Sequence, residues 1–398
     1  MNVFTKDYLM TAGPTPLPPR VSQVMAEPIL YHRAPAFIEI YERVLARLKG
    51  VFQTENDVLT FAASGTGAME SAVANLIAPG DRALVASCGK FGQRWAELGD
   101  AYGADVHHLE GEWGQRIEPE DLERALAAAG KGVRAVFTTQ SETSTGVVND
   151  VGALAEVAHR HGALICVDAV SGLGVVDLPT DAWEVDVVAS GSQKALMCPP
   201  GLAFAAVSER AMDAAREARA RGARSYYFDW EKTSKGQRKQ PADSPFTPAV
   251  TLFRALDVAL EMIEQETLPA VFERHGVLGR AAREAVKALG LELFGPEDDN
   301  ANVVTAVKVP DGVDGAAVPK LMRDRYRVTI AGGQAQLKGR IVRVAHCGYY
   351  GAFDILSTVA ALEMALSELG AELSLGTGVA AAEQVFLEAG VRAAQPVA

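Results

Sequence analysis

The sequence predicts an α/β protein whose larger part is a mainly parallel β-sheet, followed by a smaller α+β domain. Three observations lead to this fold class. Short apolar runs alternate with amphipathic helical patterns between residues 58 and 207. The runs are apolar throughout, which is typical of strands buried on both faces of a parallel sheet. Beyond residue 290 the order of strands and helices changes, and 398 residues suffice for two or three domains.

The amino-terminal segment is predicted to be an extended arm. Residues 11–19 read TAGPTPLPP, and four prolines and a glycine argue against a helix there. A helical pattern follows at about 36–52. We therefore assign residues 1–22 to an N-terminal arm and begin the large domain at residue 23.

The large domain, residues 23–250, is predicted to carry a seven-stranded sheet with right-handed crossovers. Strands are expected at 58–62, 83–86, 105–109, 133–138, 163–167, 186–189 and 202–207. Helical patterns lie between most of them, at 67–77, 91–102, 119–129 and 152–161. Residues 226–248 are polar and interrupted by prolines, and we interpret them as one long loop with a functional or interfacial role.

The small domain, residues 251–398, is predicted to be α+β. Helices are expected at 248–266 and 269–289, where the first crosses the boundary between the domains. The rest follows the order strand, strand, helix, strand, strand, helix, at 291–294, 303–309, 315–326, 328–331, 341–345 and 352–369. Residues 379–389 fit a terminal helix.

Composition and charge argue against several classes of protein. A formal net charge of -12 disfavours binding to nucleic acid. The start of the chain carries Lys6 and Asp7 and lacks the apolar core of a signal peptide, and no apolar stretch is long enough to span a membrane. The four cysteines are scattered and suggest no disulfide framework. We expect a cytoplasmic protein with no nucleic-acid and no membrane partner.

A glycine-rich turn follows the first strand of the sheet. Residues 63–68 read ASGTGA and open a helix, where backbone amides and the helix dipole favour a phosphate group. The alternative is an ordinary glycine-rich turn. The spacing is not GxGxxG and no Walker lysine follows, so a dinucleotide site or a P-loop is disfavoured.

Two strand ends carry residues suited to catalysis. Asp168 ends one buried strand, and Lys194 follows the next in the run ASGSQKA. Ligands of parallel sheets gather at the carboxyl ends of strands. An aspartate there can hold a cationic ring nitrogen, and a desolvated lysine can attack a carbonyl. The alternatives are a helix-capping aspartate and a surface lysine.

Two further residues could contact ligands. Phe91 begins a helix after a strand and could stack on a planar cofactor, or belong to the core. Arg343 alternates with apolar residues of a strand, so it could grip a carboxylate with its planar fork or simply lie on the sheet surface. His107–His108 and the pair His159 and His161 lack the further ligands of a metal site, so we predict no metal.

Taken together, these residues resemble the class V aminotransferases of the pyridoxal-phosphate (PLP) fold-type I superfamily, in particular the alanine–glyoxylate and serine–glyoxylate aminotransferases. The resemblance covers nearly the whole chain. Its most specific part is SGSQKAL at 190–196 followed by PPG at 199–201. DAVS at 168–171, ETSTG at 142–146 and Arg94 support it.

The resemblance implies PLP as cofactor and a role for each matching residue. Lys194 would form the Schiff base and act as the proton carrier, with Asp168 on the pyridine nitrogen. The cofactor phosphate would be bound by Gly65, Thr66, Gly67 and Gln193, and by Thr247 from the partner subunit. Thr143 would lie near the ring hydroxyl, and Phe91 and Val170 would pack on the two faces of the ring. Arg343 and His32 would contact the substrate. Ser244 stands where some relatives carry a phosphate-binding tyrosine.

The resemblance also implies an activity and an assembly. We expect a homodimer that moves an amino group from a small amino acid, alanine or serine, to a 2-oxo acid such as glyoxylate or pyruvate, with ping-pong kinetics. One alternative is other PLP chemistry on this fold, such as a desulfurase-like lyase, for which Cys198 is the nearest thiol in sequence to Lys194. The other alternative is a non-catalytic binding protein.

Overall fold

The computed structural model describes residues 6–295, 297–298 and 301–390. The ends of the predicted arm and of the small domain, residues 1–5 and 391–398, lie outside this part. The strands are β1 Tyr8–Leu9, β2 Asp57–Phe61, β3 Arg82–Ser87, β4 Asp105–Glu110, β5 Val133–Thr139, β6 Ser141–Glu142, β7 Val147–Val148, β8 Leu164–Asp168, β9 Val187–Gly191, β10 Ala203–Val207, β11 Val304–Lys308, β12 Val328–Thr329, β13 Ala331–Gly332 and β14 Ile341–Ala345.

The helices flank these strands along the whole described chain. They are α1 Pro19–Met25, α2 Pro35–Phe52, α3 Gly65–Leu76, α4 Lys90–Ala101, α5 Pro119–Ala129, α6 Val151–Arg160, α7 Glu209–Arg221, α8 Trp230–Gln237, α9 Val250–Glu266, α10 Leu268–Ala288, α11 Ala317–Tyr326, α12 Ala352–Glu368 and α13 Thr377–Glu388, with a short 3-10 helix at Ala335–Leu337.

The central sheet has seven strands in the order β2-β10-β9-β8-β5-β3-β4. Strand β10 is antiparallel to both of its neighbours, and the remaining pairs are parallel. The predicted mainly parallel seven-stranded sheet is therefore confirmed. The ends of its seven predicted strands lie within two residues of the observed ends. The order places β8 and β9 side by side, so the residues that follow them share one edge of the sheet.

Hydrophobic layers cover both faces of this sheet. Neighbouring strand residues alternate between the layers: Leu84 packs with the layer that includes helices α2, α5, α6 and α9, and Val85 with the layer of α3, α4 and α7. The second layer contains the fully buried Trp95 and Trp230. Burial on both faces explains why the strands are apolar throughout.

The C-terminal part has its own hydrophobic cluster. Its three-stranded antiparallel sheet has the order β11-β14-β13, and α10, α11, α12 and α13 pack around it. Met10 and Ala12 of the amino-terminal arm belong to this cluster, and β1 pairs with β12 in parallel. The arm is therefore fastened to the C-terminal part of the chain. The domain boundaries placed after residues 22 and 250 stay predictions.

Several predicted elements differ from the structure. The predicted loop 226–248 contains α8, because the Asp229 carboxylate caps it by accepting from the Lys232 amide (2.9 Å) and buried Trp230 anchors it. The predicted strand 291–294 forms only the bridge of Leu293 with Val307, between two glycines with positive φ. The strand predicted at 328–331 is split into β12 and β13. Helix α7, capped by Ser208, went unpredicted.

Candidate active site

A cavity lies beside the carboxyl ends of β8 and β9. Eight of the residues singled out from the sequence line it: Gly65, Thr66, Phe91, Thr143, Asp168, Val170, Gln193 and Lys194. The other lining residues are Ser64, Met69, Arg94, Ser141 and Ser171. The parallel sheet therefore brings motifs from five separate stretches of sequence to one place.

Asp168 is the last residue of β8 and is buried. One of its carboxylate oxygens accepts a hydrogen bond from the Val170 amide at 2.8 Å. Burial raises the pKa of Asp168 to about 6, and the nearby Glu142 carboxylate raises it too, against the opposing charges of Arg94 and Lys194. A cation placed beside Asp168 would favour its ionised form.

Lys194 lies in the turn that follows β9 and is buried. Burial lowers the pKa of its ammonium group, so the neutral amine is reached at lower pH than in a surface lysine. Its Nζ donates a hydrogen bond to the Ala12 carbonyl of the amino-terminal arm. A side chain at Gly13 would bring Cβ to 2.5 Å from Lys194 Cδ and Cε, so the arm passes directly over the lysine.

The glycine-rich turn opens α3 at Gly65, next to the turn that carries Gln193. A Cβ at Gly65 would lie 2.5 Å from Val170, so only glycine allows this close approach. The Gly67 amide already donates to the Ser64 carbonyl at 2.7 Å. The Gly67 amide is therefore not free to donate to a phosphate in this structure, whereas Gly65 and Thr66 line the cavity.

Arg343 borders the cavity from the C-terminal part without lining it. It is buried, and its guanidinium donates to the Thr143 carbonyl (2.7 Å) and the Gly332 carbonyl (3.0 Å). Burial lowers the pKa of Arg343. Thr143 in turn donates its hydroxyl proton to Ser171 at 2.6 Å. The candidate carboxylate clamp is thus fixed to a residue of the cavity wall.

Two predicted residues lie elsewhere in the described chain. His32 lines a second cavity together with Arg33, Tyr41 and Ser244. Thr247 is exposed and belongs to a third depression, formed by residues 244–248 and the end of β2. The structure of the single chain therefore does not bring either residue to the cavity of Lys194.

Glu142 is the first residue of the ETSTG motif at 142–146, and no role for it was predicted from the sequence. Glu142 is fully buried and accepts hydrogen bonds from the amides of Phe91 (3.0 Å), Gly92 (2.8 Å) and Ser144 (3.0 Å), and from the Ser144 hydroxyl. It therefore holds the start of α4, with Phe91, against the turn that carries Thr143. The sequence contains a sign of this role: residues 138–145 are eight consecutive polar residues that begin at the end of the mainly apolar strand β5. All eight are buried in the structure.

The described chain contains neither a metal-ligand cluster nor a membrane-spanning helix. Within residues 6–295, 297–298 and 301–390, no three histidine, cysteine, aspartate or glutamate side chains lie together as a metal ion would require. Over the same ranges, no helix combines the length and the apolar character needed to cross a bilayer.

The family model, a curated relative and a solved structure that match this chain are all aminotransferases. The family model "Aminotransferase class-V" matches residues 7–347. A protein named soluble hydrogenase, small subunit, from Synechococcus sp. is 45% identical over 96% of this chain and 98% of its own length. The serine–glyoxylate aminotransferase of Methylorubrum extorquens is 37% identical, covering 96% of each chain. The crystal structure of Bacillus subtilis ureidoglycine–glyoxylate aminotransferase superposes with a TM-score of 0.90 at 32% identity, covering 97% of this chain and 99% of the other.

Proposed function

The chain belongs to the class V aminotransferase family, and on that premise we propose that it moves an amino group from a small amino acid to a 2-oxo acid such as glyoxylate. It is a PLP-dependent enzyme with the fold-type I architecture. One observation carries the proposal: the amine of Lys194 and the carboxylate of Asp168 line the same buried cavity at neighbouring strand ends. The names of two relatives support glyoxylate as acceptor.

The residues around the cavity fit PLP. The Gln193 side-chain oxygen is buried and has no hydrogen-bond partner among the described residues, and it faces the start of α3. An amide rotated by 180° would offer its NH₂ group to a phosphate at that point. Gly65 and Thr66 open the helix there, Phe91 and Val170 supply apolar surface for a ring, and Asp168 offers a carboxylate to the ring nitrogen.

The side chains of this site divide the chemistry between them. When bound, PLP supplies an electron-withdrawing ring that accepts the electron pair from the substrate's α-carbon. Lys194 would hold the cofactor aldehyde through Nζ, and once the substrate amine had displaced it, its free amine would take the proton from the α-carbon. Its lowered pKa suits this role, because the neutral amine is the base. Asp168 would keep the ring nitrogen protonated by a charged hydrogen bond.

Arg343 is proposed to bind the substrate carboxylate. Two of its donors are occupied by the carbonyls of Thr143 and Gly332, which leaves further N–H groups of the five-donor guanidinium for a ligand. These two hydrogen bonds hold the guanidinium in one orientation. Alanine and serine are the first candidates for the amino donor.

We further propose a cytoplasmic homodimer in which Thr247 reaches the partner's cofactor and His32 lies near the entrance of a substrate site. Thr247 is exposed and lies away from its own chain's cavity, as such a role requires. Large apolar side chains are exposed near this segment, including Tyr226 and Tyr31, 78% and 61% exposed. Sedimentation at several protein concentrations tests the assembly, and a monomer at micromolar concentration would contradict it.

The desulfurase-like alternative is not supported at Cys198. Its thiol is buried and lies 3.7 Å from the Leu252 carbonyl, and burial raises its pKa to about 12. A persulfide-forming cysteine needs an accessible thiolate, so this thiol is unsuited to that chemistry.

Two measurements test the proposed function. The purified protein mixed with PLP should absorb in the near-visible region, and borohydride should abolish this band and fix the cofactor to Lys194, as peptide mapping would show. A panel of amino donors against glyoxylate and pyruvate should then give ping-pong kinetics. Absence of the band, or a band without transfer for any small amino donor, would overturn the proposal.

A further inference from the structure

We propose that Arg94 binds the phosphate group of the cofactor and is its main positively charged partner from this chain. The inference rests on the proposed function, because it concerns the same cavity. Arg94 is half-buried on the second turn of α4, and its side chain lines the cavity beside Ser64, Gly65 and Thr66. The guanidinium therefore lies at the end of the cavity where the helix α3 begins.

The charges around the cavity single out Arg94. Among its thirteen lining residues only Arg94 and Lys194 are cationic, and Lys194 is assigned to the aldehyde. Arg343 does not line the cavity, and the proposed function assigns its remaining donors to the substrate carboxylate. Without Arg94, a dianionic phosphate would face helix amides, hydroxyls and a neutral amide, with Asp168 in the same cavity.

The contacts of Arg94 leave its charge available. Within the described ranges no carboxylate oxygen lies within 4.0 Å of its guanidinium, which sets it apart from most arginines of the large domain. Its Nη1 donates to the Thr66 hydroxyl at 3.1 Å, and its guanidinium carbon lies 5.2 Å from the centre of the Phe91 ring. These contacts orient the group and use one of its five N–H donors. The guanidinium fork matches phosphate oxygens in geometry.

The anchoring of α4 explains how the position is kept. Glu142 accepts the amides of Phe91 and Gly92, so the first turn of α4 is fixed to the cavity wall. Arg94 follows Phe91 by three residues and lies on the same helix face. A single rigid turn thus supplies both an apolar ring for the cofactor ring and a cation for its phosphate.

The test compares PLP with pyridoxal, which lacks the phosphate. Dissociation constants are measured by equilibrium dialysis for the wild-type chain and for Arg94→Gln, Arg94→Lys and Phe91→Leu. Arg94→Gln should weaken PLP binding about 10- to 100-fold, as expected for a charged hydrogen bond, and leave pyridoxal binding unchanged. Arg94→Lys should give a smaller loss, because it keeps the charge without the fork. Phe91→Leu, the matched control, should weaken both ligands equally.

A second readout needs no bond to Lys194. Inorganic phosphate should compete with PLP for the wild-type protein and much less for Arg94→Gln. A merely structural role for Arg94 would lower the affinity for PLP and pyridoxal in parallel, and that result, or an unchanged ratio, would overturn the inference. If Arg94→Gln does not fold by circular dichroism, the PLP-to-pyridoxal ratio of Arg94→Lys decides. Failure of the wild-type chain to bind PLP at all would instead overturn the proposed function.

Discussion

Lys194 lies between two walls that are built in different ways. One wall, the strand-end wall, carries Asp168, Gln193 and Lys194 in the turns that directly follow β8 and β9. The other, the arm wall, consists of residues 9–15 and the turn 346–350 after β14; it lies against Lys194 through the Ala12 carbonyl and two glycines, Gly13 and Gly348, and does not line the cavity itself. The first wall is held by the sheet itself. The second depends on hydrogen bonds between residues far apart in sequence.

The fastenings of the arm wall are specific. The Tyr350 hydroxyl lies 3.0 Å from the Leu9 carbonyl and 2.8 Å from the Thr11 carbonyl. The Thr15 hydroxyl donates to the Lys194 carbonyl at 3.1 Å, and buried His275 accepts the Gly348 amide at 2.9 Å. The comparison teaches that reactive groups come from local motifs, whereas their enclosure comes from long-range contacts. We therefore expect changes in the strand-end wall to abolish chemistry and changes in the arm wall to weaken it.

The largest effect is expected for Lys194→Met. Loss of the amine removes both the covalent attachment and the proton carrier, so transamination should fall by about 10⁴-fold or more. Steady-state assays and the near-visible spectrum measure this. Lys287→Met, which removes an exposed lysine paired with Glu284 and Glu297, should leave both unchanged. Substantial transamination by Lys194→Met would contradict the assignment of the strand-end wall.

Gly13→Ala tests the arm wall where it touches the lysine. The added Cβ would lie 2.5 Å from Lys194 Cδ, and a displacement of about 1 Å at a reacting group can cost about 10²-fold in rate. The matched control is Gly222→Ala, because Gly222 has nearly the same φ (121° against 125°) and no neighbour closer than 3.9 Å. Both variants carry the backbone strain, and only Gly13→Ala should lose kcat. Equal losses would show that strain, rather than the contact with Lys194, matters.

His346, a buried histidine of the arm wall, should make the stability depend on pH. His346 donates through Nδ1 to the Asn302 carbonyl (2.8 Å), and burial lowers its pKa from 6.5 to about 3. Between these values the unfolded chain binds a proton that the native state does not. The contribution of His346 to the free energy of unfolding should therefore fall by about 1.4 kcal/mol per pH unit as the pH decreases from about 6.5. Buried His275, whose pKa is also lowered by burial, acts in the same direction.

A comparison with His346→Asn isolates this contribution. Denaturant unfolding from pH 7 to 4 should be less pH-dependent in the variant, whatever its absolute stability. In the protein without cofactor, Asp168 acts in the opposite direction, because its raised pKa of about 6 makes the native state bind a proton first as the pH falls from 6. Parallel pH profiles for the two proteins would mean that His346 takes up its proton in the native state near its ordinary pKa.

The smallest effect is expected for Tyr350→Phe. Losing a buried hydroxyl that serves two carbonyls should cost about 1 kcal/mol of unfolding free energy. It should also speed proteolysis within residues 6–15. Tyr41→Phe removes a buried hydroxyl 3.3 Å from Thr60 in the large domain and should leave the arm's protease resistance unchanged. If the arm were equally sensitive to protease in both variants, the Tyr350 hydroxyl would not be what holds the arm wall in place.

Particular residues show how far the sequence could predict this site. Asp168 and Lys194 could be singled out from local pattern, because one ends a buried strand and the other follows the next, and the structure places both at one cavity. Phe91 was singled out by its place at the start of a helix, and Gln193 and Thr143 through family resemblance; the structure places all three in the cavity wall. The contact of Ala12 with Lys194 could not be predicted, since 182 residues separate the two positions. The roles of Thr247 and His32 stay predictions.

The sequence by itself determined the strands, their burial on both faces, and the chemical groups at their ends, because these follow from patterns within a few residues. It also carried enough local motif to indicate the family. Only the tertiary structure decided which of those groups share a cavity, that Glu142 fixes the start of α4, and that the arm covers Lys194. These facts depend on strand order and on contacts between distant segments, and no local pattern encodes such distances.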